Sequence, residues 1–86
     1  MIPESIFNML DGGDILIIKD RGQDFYIGEI EYVKYYGVGK KILMIKEDRY
    51  QPIKEYDYYS LADSIHIALK RNENSDTYCM IYGFKY

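Results

Sequence analysis

Phe25–Tyr36 (FYIGEIEYVKYY), residues 37–40 (GVGK) and residues 41–47 (KILMIKE) decide the fold. The outer two segments are rich in aromatic and β-branched residues, which suit a pleated, half-buried surface. The glycines between them take a tight turn without a Cβ clash. The stretch therefore predicts two antiparallel strands joined by a hairpin. Glu29 and Glu31 alternate onto the same face as Phe25, Ile27 and Val33. A face that changes character in this way predicts a bend or bulge near Gly28.

Upstream, residues 14–19 are apolar on both faces and read as a buried central strand. Residues 21–24 are a polar turn. Residues 3–11 read as a short helix, with Pro3 and Glu4 in the first turn and Ile6, Met9 and Leu10 on one face; Gly12-Gly13 stops it. Downstream, residues 48–58 read as a loop with at most one edge strand near Ile53, because Pro52 removes a ladder donor. Residues 60–72 predict a helix: Ser60 and Asp63 form a capping box, and Leu61, Ile65, Ala68 and Leu69 form a stripe. Residues 77–86 alternate as a last strand, with Tyr78, Met80, Tyr82, Phe84 and Tyr86 on one face and Cys79 and Ile81 on the other.

The expected fold class is α+β in the order αβββαβ: a curved antiparallel sheet, as a partial barrel, with two helices in a single domain over residues 1–86. Helix 60–72 is expected to pack on the sheet, and Ile15, Ile17, Ile30, Ile42, Met44, Met80 and Ile81 to supply most of the remaining core.

Gly13-Asp14-Ile15, then Phe25-Tyr26-Ile27-Gly28-Glu29-Ile30, Val33 and residues 41–45 resemble the opening strands of an SH3-like small barrel of the Tudor or KOW type. The resemblance covers about residues 13–58, and the helix expected before the last strand departs from a plain barrel. It implies peptide or nucleic-acid binding, with Tyr26, Tyr35 and Tyr36 near the binding face.

The residues themselves point away from catalysis. His66 is the sole histidine and has no nucleophile at triad spacing. Cys79, among apolar neighbours, reads as a small buried hydrophobe. One Cys and one His cannot supply a zinc ligand set, so no metal and no cofactor are expected. The carboxylate pairs read as solvated faces and turns. Gly37-Val38-Gly39-Lys40-Lys41 lacks the leading glycine and the following hydroxyl of a phosphate loop and precedes a strand. A single cysteine gives no disulfide framework and suits a reducing cytoplasm. The opening residues lack a signal peptide, and the longest apolar run, Ile15 to Ile18, is too short for a membrane span.

Tyrosine is the remaining signal. Eleven of 86 residues are Tyr, more phenols than so small a core can bury with every hydroxyl satisfied. Surface tyrosine is contact material, so the expected function is a non-enzymatic protein-binding factor of the inhibitor or adaptor type. An accessory protein of a phage or mobile element that sterically blocks a host defence or polymerase protein is the case in view. The expected partner-binding residues are Tyr35, Tyr36, Glu55, Tyr56, Asp57, Tyr58 and Tyr59, whose acids would select a basic site on a protein. The alternative is nucleic-acid binding by Tyr32, Lys34, Tyr35, Tyr36, Lys40 and Lys41, against which the net charge of −3 argues. A third reading is a tyrosine-lined pocket for a small molecule or nucleotide. The last strand, if it lies at a sheet edge, would allow a homodimer.

Overall fold

The computed structural model describes residues 1–19, 22, 24–48 and 52–83. Among them the elements are α1 (Glu4–Phe7), β1 (Ile15–Lys19), β2 (Phe25–Tyr36), β3 (Lys40–Glu47), β4 (Lys54–Tyr56), α2 (Tyr58–Leu61), β5 (Ile65–Arg71) and β6 (Tyr78–Tyr82). The strands form one antiparallel sheet in the order β4-β3-β2-β1-β5-β6. Two edges, β4 and β6, remain, so the described strands form an open sheet.

The hairpin forms as its sequence requires. Gly37 and Gly39 take positive φ, 61° and 84°, at the turn. The bulge falls later than Gly28: Ile30 pairs with Ile45 and Tyr32 with Met44, which leaves Glu31 as the extra residue. Glu29 and Glu31 therefore do not continue one alternating face. Gly28 serves close packing instead, because a Cβ there would stand 2.9 Å from both Ile18 Cδ1 and Ile45 Cγ2.

Residues 60–72 are not a helix. They divide into the last residues of the single turn α2 and the strand β5. Leu61, Ile65, Ala68 and Leu69 satisfy a helical period, yet Ile65, Ile67 and Leu69 also satisfy a period close to that of a strand. Tertiary demand decides. β1 is apolar on both faces and has two edges of backbone groups to pair; β2 takes one and β5 the other. The cap also lies one turn earlier than expected. Asp57 Oδ1 accepts from Ser60 N at 2.8 Å, and Ser60 Oγ accepts from Asp57 N at 3.1 Å. The expected helix over residues 3–11 contracts to one turn, followed by turn hydrogen bonds from Met9 N to Ile6 O and Leu10 N to Phe7 O. The fold is thus mostly sheet, and the edge strand expected near Ile53 is β4.

The core lies on one side of the sheet. Leu16, Ile18, Ile30, Leu43, Ile45, Ile65 and Ala68 meet Ile2, Phe7, Leu10, Leu61 and Ala62, which roof them. Of the other residues expected in the core, Ile42 and Met44 are buried, Ile15, Ile17, Leu69 and Ile81 are half-buried, and Met80 is exposed. Among the described residues no helix covers the opposite face, where Phe25, Ile27 and Tyr32 are exposed. His66, expected on a helix, sits in β5 with its ring centroid 4.9 Å from that of Phe25. Cys79 is exposed on β6, not buried, because its strand is the sheet edge. Phe84 and Tyr86, and Arg21 and Gln23 of the expected turn, lie outside the described residues.

Buried polar groups are sparse and satisfied. Asp14, only 1% exposed, accepts from Asp11 N at 2.8 Å, Arg71 N at 2.9 Å and Lys70 Nζ at 2.9 Å. That one carboxylate ties the turn after α1 to the end of β5.

Candidate partner-binding site

A cleft of about 430 Å³ opens between α1, the β2–β3 turn and α2. Glu4, Phe7 and Asn8 form one wall, Val38 to Lys41 a second, and Asp57, Tyr58 and Tyr59 the third. Each wall is set by a local feature. The turn glycines hold Val38 fully exposed at the tip. The Asp57–Ser60 capping box fixes the direction in which Tyr58 and Tyr59 leave the chain.

Lys41 joins the walls. In β3 the inward positions are Lys41, Leu43, Ile45 and Glu47, so this lysine points under α1. Its Nζ donates to Asn8 O at 2.9 Å and to Phe7 O at 3.5 Å, satisfying carbonyls at the end of α1 where a cation is favoured. Burial pushes the Lys41 pKa down, and the Lys70 charge adds to this, while Asp11 and Asp14 oppose it.

The tyrosines divide by role. Tyr58 donates its hydroxyl to Ile2 O at 2.6 Å and meets the Phe7 ring edge-on, centroids 5.2 Å apart. Burial raises the Tyr58 pKa, helped by the nearby charges of Glu4 and Asp63. Tyr59 stacks edge-on against Tyr58 at 5.6 Å and is otherwise open, 81% exposed. Tyr56 turns inward and donates to Glu47 Oε1, a carboxylate 3% exposed with Lys54 Nζ 3.8 Å from its other oxygen. Burial and the Glu47 hydrogen bond raise the Tyr56 pKa. Tyr56, expected in the contact patch, thus turns toward Glu47 and does not line the cleft.

The other expected contact residues scatter. Glu55 pairs with Lys34 at 3.8 Å on the uncovered face, and Lys34 also lies 5.9 Å from the Tyr32 ring centroid. Tyr35, 65% exposed, stands opposite Lys41 in the register, and Tyr36 stands opposite Lys40. The structure therefore brings Lys40, Lys41, Asp57, Tyr58 and Tyr59 to one cleft, and leaves Tyr32, Lys34, Tyr35, Tyr36, Glu55 and Tyr56 outside its lining. The α1 wall was missed by sequence reasoning. Its signal was available: a lysine at an inward position of an otherwise apolar strand must meet carbonyls or a carboxylate.

Among the described residues no group of three His, Cys, Asp or Glu is placed to hold a metal ion, and no helix is long and apolar enough to cross a membrane. Comparison with known proteins returned no match: no family model, no curated protein and no solved structure.

Proposed function

We propose that this chain is a small non-enzymatic protein-binding factor, of the inhibitor or adaptor type, that engages a basic site on its partner and acts by covering it. The carrying observation is Tyr59: an exposed ring braced by Tyr58, which is itself pinned to Ile2 O and Phe7. An aromatic side chain has few rotors to freeze on binding, and one already in contact with a pinned neighbour is good anchor material. Glu4, Asp57 and Asp63 carry negative charge around this aromatic pair. An Arg or Lys of a partner would find a ring face for cation–π contact and carboxylates for its charge. The basic set that nucleic-acid binding would use is largely engaged within the protein, Lys41 by the α1 carbonyls and Lys34 by Glu55.

The test is a tagged pull-down from lysate with and without nuclease, comparing wild type with Tyr59→Ala. A partner recovered by wild type should bind the variant roughly tenfold or more weakly, as expected for truncation of an interface anchor. Equal recovery by a folded variant refutes the assignment, and recovery that nuclease abolishes favours the nucleic-acid reading. The cleft volume of about 430 Å³ lies within the range of roughly 300–1,000 Å³ usual for small-molecule sites, which supports a tyrosine-lined ligand pocket as the second reading. Thermal shifts with a nucleotide panel, lost in Tyr59→Ala, would favour it.

A further inference from the structure

The two edges of the sheet differ in kind. β4 is three residues long, carries Lys54 and Glu55, and follows Pro52 closely, all devices that discourage another strand. β6 reads Tyr78-Cys79-Met80-Ile81-Tyr82, with no charge and no proline. Its backbone pattern can be followed from the β5–β6 turn, where Asn72 N donates to Thr77 O at 2.9 Å. Arg71 pairs with Tyr78, Lys70 with Cys79 and Leu69 with Met80. In an antiparallel ladder hydrogen-bonded and non-hydrogen-bonded pairs alternate. The Cys79 amide and carbonyl therefore face β5, and those of Tyr78 and Met80 face outward. The outward groups are symmetric about Cys79.

We propose that β6 is a self-association edge, pairing antiparallel with β6 of a second copy of this chain about a two-fold axis at Cys79. In that register Tyr78 of each copy exchanges both backbone hydrogen bonds with Met80 of the other. All four outward groups of each strand segment are then satisfied. A register centred on Met80 would form one such reciprocal pair there in place of two. A second copy fits the side chains too. Tyr78 and Met80, each 41% exposed, lie on the uncovered face, so the two-fold places a methionine sulfur against a tyrosine ring twice. No like charges are opposed along the strand, and the result is one continuous twelve-stranded sheet built from two six-stranded ones.

The same register sets Cys79 opposite its symmetry mate in a non-hydrogen-bonded pair. Cα atoms there stand about 4.5 Å apart, inside the disulfide range of about 4.4–6.8 Å. Cys79, exposed, is thus a reporter for the axis. Sedimentation equilibrium under reducing conditions should give twice the chain mass for wild type and the chain mass for Met80→Lys, which charges the edge. Circular dichroism establishes that the variant is folded, and Tyr78→Lys is the substitute if it is not. Diamide, which takes two electrons and two protons from a pair of thiols as the disulfide forms, should convert wild type to a covalent dimer. A wild-type monomer at every concentration overturns the proposal. A dimer that survives in folded Met80→Lys, or a reduced dimer that diamide does not cross-link, overturns it as well, because the contact or the axis then lies elsewhere.

Discussion

Lys70 Nζ lies 2.9 Å from Asp14 Oδ2, a carboxylate that water scarcely reaches. The pair spans the junction of β1 and β5, the contact that turns residues 65–71 into a strand. Asp14 also accepts the amides of Asp11 and Arg71, so both of its oxygens are occupied. Asp14→Ala removes all three bonds, leaving two amides without their acceptor and the Lys70 ammonium with the Asp11 carboxylate at 3.4 Å. The expected cost is about 3–5 kcal/mol, the range for breaking a buried ion pair. Urea denaturation of the variant and of wild type measures it.

The same pair gives alkaline sensitivity. Burial pulls the Lys70 pKa down, but the Asp14 hydrogen bond and the charges of Asp14 and Asp11 outweigh it, so the folded value lies above 10.5. A raised folded pKa means that the folded state holds the proton more tightly. The stabilisation is complete below 10.5 and is lost as pH rises through the folded value. Lys70→Gln should therefore be less stable than wild type at neutral pH, and the gap should narrow in strongly alkaline buffer. Urea midpoints for both proteins over a pH series check this.

The Asp57 cap behaves in the opposite sense. The Ser60 amide, and then the Ser60 hydroxyl, hold the Asp57 carboxyl below 3.8. Its stabilisation is present above 3.8 and fades as pH falls through the folded value. Asp57→Ala should cost about 1 kcal/mol at neutral pH, as for other N-caps, and cost less in acid. Thermal melts at neutral and acidic pH separate the two conditions.

Gly28→Ala tests the closeness of β1, β2 and β3. The new methyl would stand 2.9 Å from a side-chain carbon of Ile18 and another of Ile45, both fully buried. Neither can retreat without displacing the core, so the change should cost roughly 1–3 kcal/mol, as overpacking does. Denaturant titration reads it, and a neutral outcome would mean that this part of the core yields.

The hairpin, the central strand and the edge strand near Ile53 were legible because each depends on local chemistry: glycines at a turn, an apolar run, a proline at an edge. The strand β5 was not. Ile65 and Leu69 fit a helical stripe with Ala68 and a strand alternation with Ile67, and the choice between them depended on the unpaired side of β1, a fact about another segment. The capping box was misplaced for a related reason. Ser60 serves as the responding third residue of a box begun by Asp57, and either role is consistent with its hydroxyl. Tyr59 and Asp57, singled out from their cluster, both line the cleft. Tyr56 turns instead to the inward Glu47, which accepts its hydrogen bond and lies nine residues away in another strand, a contact the local sequence does not announce.

The bond from Lys41 Nζ to Asn8 O joins positions 33 residues apart and is part of what holds α1, a helix of four residues, in place. A single turn that short does not repay its own nucleation. Its order is therefore borrowed from the hairpin, whose strands must pair before the ammonium reaches those carbonyls. During synthesis α1 emerges before the hairpin that holds it, so it would take its final shape only after those later strands have paired, and the wall of the cleft that it forms would arrive with it.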